Sequence, residues 1–240
     1  MYEERLYRNR YSSANLKFFD VRIYETDLSI GACSDLSAVA EKVATELRGE
    51  IEAYIESDPL FLTSLEPIEV DASAPEIIIR MAAAAKKAGV GPMAAVAGAI
   101  SELTGYELLK YSDEVIVENG GDIFMSTRTP RKIGIYAGNS PLSDKLAIEI
   151  DPSRSPLGIC TSSGTVGHSL SLGKADAAVI ISKDTFLADA TATALGNRVK
   201  TNEDIESALQ FSASINGVTG AVVIIGDKLG AWGDVKLTRL

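Results

Sequence analysis

The sequence predicts an α+β fold of antiparallel sheets packed with helices, and three features predict it. Short runs of apolar and β-branched residues are broken by Asn, Asp and Gly turn signals, the pattern of hairpins. Between them lie alanine-rich stretches with apolar residues at helical spacing. The order strand pair, helices, strand pair then recurs along the 240 residues, unlike the strand-helix alternation of a parallel array. The expectation is a single domain over 1–240, made of two similar halves at about 14–128 and about 131–238.

In the first half, "LKFFDVRIYETDLSIGA" reads as a strand, a turn at Glu25 to Asp27 and a second strand. "SDLSAVAEKVATELRGEIEAYIES" has helical spacing, with Ser34 or Asp35 as N-cap and Asp58-Pro59 as its stop. After the loop "SLEPIEVDAS", a helix opens near Pro75 and closes at Gly89. Another starts at Pro92 and ends before Gly105. "VIVENGGDIFMS" is then a hairpin with Asn119 and Gly120 as the turn. Gly121 and Asp122 are more than a turn needs. They make the same stretch a candidate cradle, with bare N–H groups and a carboxylate where a phosphate or metal could sit.

The second half begins with strands near "KIGIYAG" and "KLAIEID", then a Ser/Thr/Gly loop at 161–173 and the strand "DAAVIIS". Helices "TFLADATATALGN" and "NEDIESALQFSA" follow, and the hairpin "TGAVVIIGDKLGAWGDV" ends the pattern. "GPMAAVAGAI" and "FLADATATAL" superpose with Ala94 opposite Asp189 and Gly98 opposite Thr193, a local echo between the halves.

Composition narrows the function. With 46% hydrophobic residues the chain can bury a core, and a net charge of −10 works against nucleic acid and anionic membranes as partners. No run of eighteen apolar residues occurs and "MYEERLYRNRYSS" is charged and polar, so neither a membrane span nor a secretory signal is expected and the expected location is the cytoplasm. Cys33 and Cys160 lack CxxC spacing and are expected to be free, buried thiols. "RTPRK", Arg128 to Lys132, reads first as a solvated loop between strands and second as local donors for a small phosphorylated ligand.

The most informative helix is "DTFLADATATALGN". Asp184 suits an N-cap and Gly196 a stop, and steps of four place Thr185, Asp189 and Thr193 on one face. That face is either a solvent stripe or a hard-ligand site of the kind Mg²⁺ uses, one or two carboxylates completed by waters and phosphates. His168, the only histidine, stands in "CTSSGTVGHSLSLG" as a polar loop residue or as a general base near a hydroxyl. A serine hydrolase built on Ser162 or Ser163 with His168 lacks a GxSxG elbow and an orienting acid.

"ENGGDIF", "TSSG", a following histidine and "LADATATAL", in this order, resemble the ApbE family of FAD:protein FMN transferases, whose helix motif reads ADALATA. The resemblance implies a duplicated, T-fold-like α+β fold with ligand between the halves, FAD as substrate, and Mg²⁺ at its pyrophosphate. It implies Asp189 and Thr193 as metal ligands, with the main-chain carbonyl of Ala94. Asn119, Gly120, Gly121 and Asp122, with Ser163 and Gly164, would hold the nucleotide, and His168 would serve acid–base catalysis. Ala95 stands where the family has a lysine, "HSLSL" replaces His-x-x-Asp-Pro, and the aromatic residue after TSG is missing.

The resulting expectation is a Mg²⁺-dependent transferase acting on FAD or a related nucleotide diphosphate, by FMN-type transfer or pyrophosphate cleavage, with an acceptor protein as partner. The alternative is a non-catalytic flavin or nucleotide carrier. A third reading is a structural homodimer in which the motifs preserve turns and packing.

Overall fold

The computed structural model describes residues 15–165 and 171–240. Strands β1 (Lys17–Ile23) and β2 (Thr26–Ala32) form a hairpin, helices α1 (Ser37–Ser57), α2 (Leu60–Thr63), α3 (Glu76–Ala88) and α4 (Val96–Leu108) follow, and β3 (Val115–Asn119) and β4 (Asp122–Ser126) form a second hairpin. Then come β5 (Arg131–Gly134), β6 (Leu146–Ile150), β7 (Leu157–Ser162), β8 (Ala177–Ser182), α5 (Thr185–Arg198), α6 (Ile205–Ser214), β9 (Val218–Ile225), β10 (Lys228–Gly233) and β11 (Leu237–Arg239). The architecture is α+β with antiparallel sheets, as the sequence predicts.

Eight strands make one sheet in the order β1-β2-β3-β4-β7-β8-β9-β10, every neighbouring pair antiparallel. Alternate side chains along a strand face opposite sides, and both sides are covered. On one, Val115 and Val117 meet Ile78, Met81 and Ile100 of α3 and α4, while Cys160, Ile180 and Val223 meet Leu187, Ala192 and Leu209 of α5 and α6. On the other, Ile116, Ile159, Val179 and Val222 pack on Ile133, Ile148 and Ile150 of a second, three-stranded sheet, β11-β6-β5.

Several local expectations change. The first turn is Tyr24–Glu25, because Ile23 pairs with Thr26. Helix α1 begins at Ser37 behind Leu36, and Asp35 accepts from the Ser37 N–H. Gly105 does not stop α4, which runs on to Leu108; the glycine makes room for Phe124, whose ring lies 2.1 Å from where a Cβ would stand. The strands near "KIGIYAG" and "KLAIEID" leave the main sheet, and β7 takes the place beside β4. The "RTPRK" stretch is not simply solvated: Arg131 begins β5, is 10% exposed, and pairs with Glu114 at 2.9 Å. Both cysteines are free thiols, but only Cys160 is buried; Cys33, which follows β2, is exposed. Among the described residues, no helix is long and apolar enough to cross a membrane.

Candidate functional site

The β3–β4 hairpin supplies the first component. Its register pairs Asn119 with Asp122, so the two turn residues are Gly120 and Gly121, with φ of 68° and 101°. Positive φ at both central positions defines the tight turn that matches strand twist, which accounts for the second glycine and moves Asn119 back into the strand. The Gly121 N–H donates to Glu118 Oε1 at 2.7 Å. Asp122 thereby opens β4 as a strand residue whose side chain is enclosed, only 8% exposed.

Helix α5 supplies the second. Asp184 caps it, accepting from the Leu187 N–H, and the Thr185 N–H is taken by Glu102 Oε2 of α4 at 2.6 Å. The helix is buried on nearly every side. Its Thr185, Asp189 and Thr193 face is therefore no solvent stripe: Thr185 is fully buried, Asp189 is 8% exposed and Thr193 is partly buried. Close approach requires glycine at Gly98, where a Cβ would lie 2.5 Å from the Thr185 carbonyl oxygen and 2.8 Å from Asp189 Cβ.

Helix α4 joins these parts. The Gly98 N–H, in its first turn, donates to Asp189 Oδ2 at 2.8 Å. The Ser101 hydroxyl lies 2.9 Å from both the Asp122 and the Ala97 carbonyl oxygens, and Asn119 Nδ2 donates to the Ala97 carbonyl at 3.4 Å. The Cys160 thiol of β7 donates to the Thr185 carbonyl oxygen at 3.7 Å and lies against the Asp122 carboxyl. One enclosed site thus brings together the hairpin, the first turn of α4, β7 and the middle of α5.

Its electrostatics are unusual. Burial pushes Asp189 up to about 7, against the pull of the Gly98 and Ala97 N–H groups. Burial and then the charge of Asp189 raise Asp122 well above the carboxylate range, opposed by the Cys160 thiol and the Thr161 N–H. Burial and the neighbouring acids raise the Cys160 thiol as well. Asp122 Oδ1 is buried and has no hydrogen-bond partner among the described residues. Two acids held this way favour a proton or a cation between them.

The remaining residues that the sequence singles out are placed differently. Ala94 sits in a 3₁₀ turn, Pro92–Ala95, that packs against α5, and Ala95 is fully buried. Ser163 and Gly164 follow the end of β7; the Gly164 N–H donates to the Ala175 carbonyl at 2.8 Å, and Ser163 Oγ accepts from the Thr165 N–H at 3.1 Å. His168 lies outside the described residues. Sequence reasoning missed Cys160, Ser101, Glu102 and Gly98. A glycine inside an alanine-rich helix is the only signal among them, since it costs helix stability without a packing reason.

Divalent-ion chemistry suits this donor set. Among the described residues no group of three or more His, Cys, Asp and Glu side chains is arranged as a metal cage. Mg²⁺ needs none, since it takes one or two carboxylates and completes its shell with water and phosphate oxygens.

The family model described as AbpE bacteria matches residues 8–236. The UPF0280 protein of Methanocella arvoryzae is 47% identical over 223 residues, 91% of this chain and 89% of its own length. That of Methanosarcina acetivorans is 44% identical over 222 residues, 91% and 87% of the two chains. The flavinyl transferase ApbE of Pseudomonas stutzeri, in its apo form, aligns with TM-score 0.57 at 13% identity over 91% of this chain and 94% of that one. The ApbE protein of Thermotoga maritima aligns with TM-score 0.60 at 13% identity, over 89% and 96%. The likeness to these structures is one of fold, and together with the match across nearly the whole sequence it shows that this chain belongs to the AbpE bacteria family and carries the ApbE fold.

Proposed function

We propose that the protein is a Mg²⁺-dependent, ApbE-like transferase acting at the pyrophosphate of FAD or a related nucleotide diphosphate. The observation that carries this reading is Asp189, a carboxylate enclosed on α5 and held by the first turn of α4. A divalent ion there would offset the negative charge that develops on the diphosphate. Asp189 is oriented for such a role by the Gly98 N–H, and Thr193 lies one helical turn further along. The Ala94 carbonyl would complete the set. The Asn119, Gly120, Gly121 turn, with Ser163 and Gly164, would hold the nucleotide.

In the transfer, an acceptor hydroxyl loses its proton to His168, its oxygen bonds to the FMN phosphorus, and the bond to AMP breaks. FMN joins an acceptor protein and AMP leaves. The domain would consist of two similar halves, about 14–128 and about 131–238, meeting where β4 pairs with β7. The protein would work in the cytoplasm, without nucleic acid, and alone or as a homodimer.

A second reading has a specific observation behind it. Ala95, in place of the family's lysine, is fully buried and offers no charge to a phosphate, which favours a flavin or nucleotide carrier that has lost catalysis.

Thermal melting separates these. FAD should raise the melting temperature with Mg²⁺ and not with EDTA, because a ligand selective for the native state stabilises it by mass action. Equal protection in EDTA would remove the metal-bridged site. Incubation with FAD, Mg²⁺ and a family acceptor protein should release AMP and add the mass of FMN to the acceptor. Binding without AMP release would establish the carrier.

A further inference from the structure

We infer that Asp122 is itself a ligand of the divalent ion, so that the ion is gripped between β4 and α5 by two carboxylates. This rests on the proposed ion site and deepens it, since resemblance alone assigns Asp122 to the nucleotide.

Three observations point to the ion side. First, a carboxylate and a phosphate both offer only acceptors, so contact between them needs a proton or a cation in between. Second, its surroundings satisfy everything except one atom. The main-chain carbonyl accepts from Ser101 Oγ at 2.9 Å, and the Cys160 thiol and Thr161 N–H lie against the carboxyl, yet Oδ1 is buried without a partner among the described residues. A polar oxygen withdrawn from water and left unbonded is costly, and native structures normally supply a partner. Third, that carboxyl lies beside Asp189. Ser101 ties residue 122 to Ala97 through one hydroxyl, and the next N–H along, that of Gly98, binds Asp189 at 2.8 Å.

Among the described residues no Lys or Arg forms an ion pair with either acid. Arg80, which reaches α4 from α3, is occupied by Glu102 and stacks on Phe186 at 3.9 Å. A small cation with oxygen ligands is what satisfies two adjacent carboxylates without importing a side chain. The hairpin glycines then have a second consequence: by closing the turn in two residues they place Asp122 at the first position of β4, facing α5.

The test is a calorimetric titration of Mn²⁺ alone, without nucleotide, into wild type, Asp122→Asn and Asp189→Asn, with melting curves of each. We expect Asp122→Asn to weaken Mn²⁺ binding at least about tenfold and to abolish the Mn²⁺-dependent rise in melting temperature, as Asp189→Asn does. Wild-type Mn²⁺ affinity in Asp122→Asn, alongside its loss in Asp189→Asn, would overturn the inference and leave the proposed function standing. Absence of Mn²⁺ binding to the wild type would overturn both. Should Asp122→Asn not fold, Asp122→Ser carries the same expectation and the same refutation.

Discussion

Asp189 and Glu114 are both buried acids, held in opposite ways. Burial of Glu114 opposes its charge, but the Arg128 N–H, the Thr127 hydroxyl and the Arg131 guanidinium outweigh it and hold the group down at about 2. Its folded value lies below the ordinary one, so its contribution is complete above about pH 4.5 and is lost as pH falls toward about 2. Glu114→Gln should flatten the acid limb of the stability curve, by roughly 3 kcal/mol between those limits, in urea melts at stepped pH. Asp189 has the reverse sign. Raised to about 7 from 3.8, it binds its proton more tightly when folded, so the ion-free protein loses stability as pH climbs through that interval. Asp189→Asn should therefore leave the apo melting point unharmed or higher at neutral pH while abolishing Mg²⁺-dependent protection by FAD. Thr193→Val should show the same loss more mildly. An Asp189→Asn protein that still gains Mg²⁺-dependent protection would remove the ion site. His168→Ala is expected to leave binding intact and slow transfer by about 10²-fold or more, read from AMP release.

Helix α5 shows what local sequence can and cannot encode. Its N-cap Asp184 was legible, as were Pro75 and Gly89 at the ends of α3, because capping depends on residues adjacent in the chain. Its burial was not. The Thr185, Asp189, Thr193 face looks polar in sequence, and only the approach of α4 and β7 encloses it. Gly158, which breaks the apolar run of β7 and hides it as a strand, is the place where Thr185 Cα would come within 2.7 Å of a Cβ. Gly98 does the same from α4. Gly98→Ala should destabilise the fold by about 1–3 kcal/mol despite alanine's better helix propensity, since the added methyl forces α5 away from α4. Gly49→Ala in α1, with nothing within 4 Å of the added carbon, should instead stabilise by up to about 1 kcal/mol. Chemical denaturation of both variants checks the contrast, and a neutral Gly98→Ala would mean the two helices are not locked together.

The fold class was legible in the sequence because both periodicities are strong, and the family motifs placed Asp122 and Asp189 among the candidates. Sheet membership was not, because nothing in "KIGIYAG" or "KLAIEID" says which sheet buries them. Nor could spacing reveal Cys160, which reads as one more apolar residue until β7 brings it beneath the two acids. Across the main sheet, β4 and β7 are joined by three residue pairs, Ile123 with Ile159, Phe124 with Gly158 and Met125 with Leu157, whereas every other neighbouring pair is joined by five or more. Helix α5 lies over this junction, touching β4, β7 and β8. Under tension the junction is a perforation line and α5 is the tape across it. An ion held by Asp122 on one side and Asp189 on the tape would then act as a rivet. With optical-trap handles attached at Tyr24 and Asp227, in the two outer hairpin turns, the first rupture should separate β4 from β7, and Mg²⁺ with FAD should raise the force at which it occurs. A rupture force indifferent to both would mean that the tape holds without the rivet.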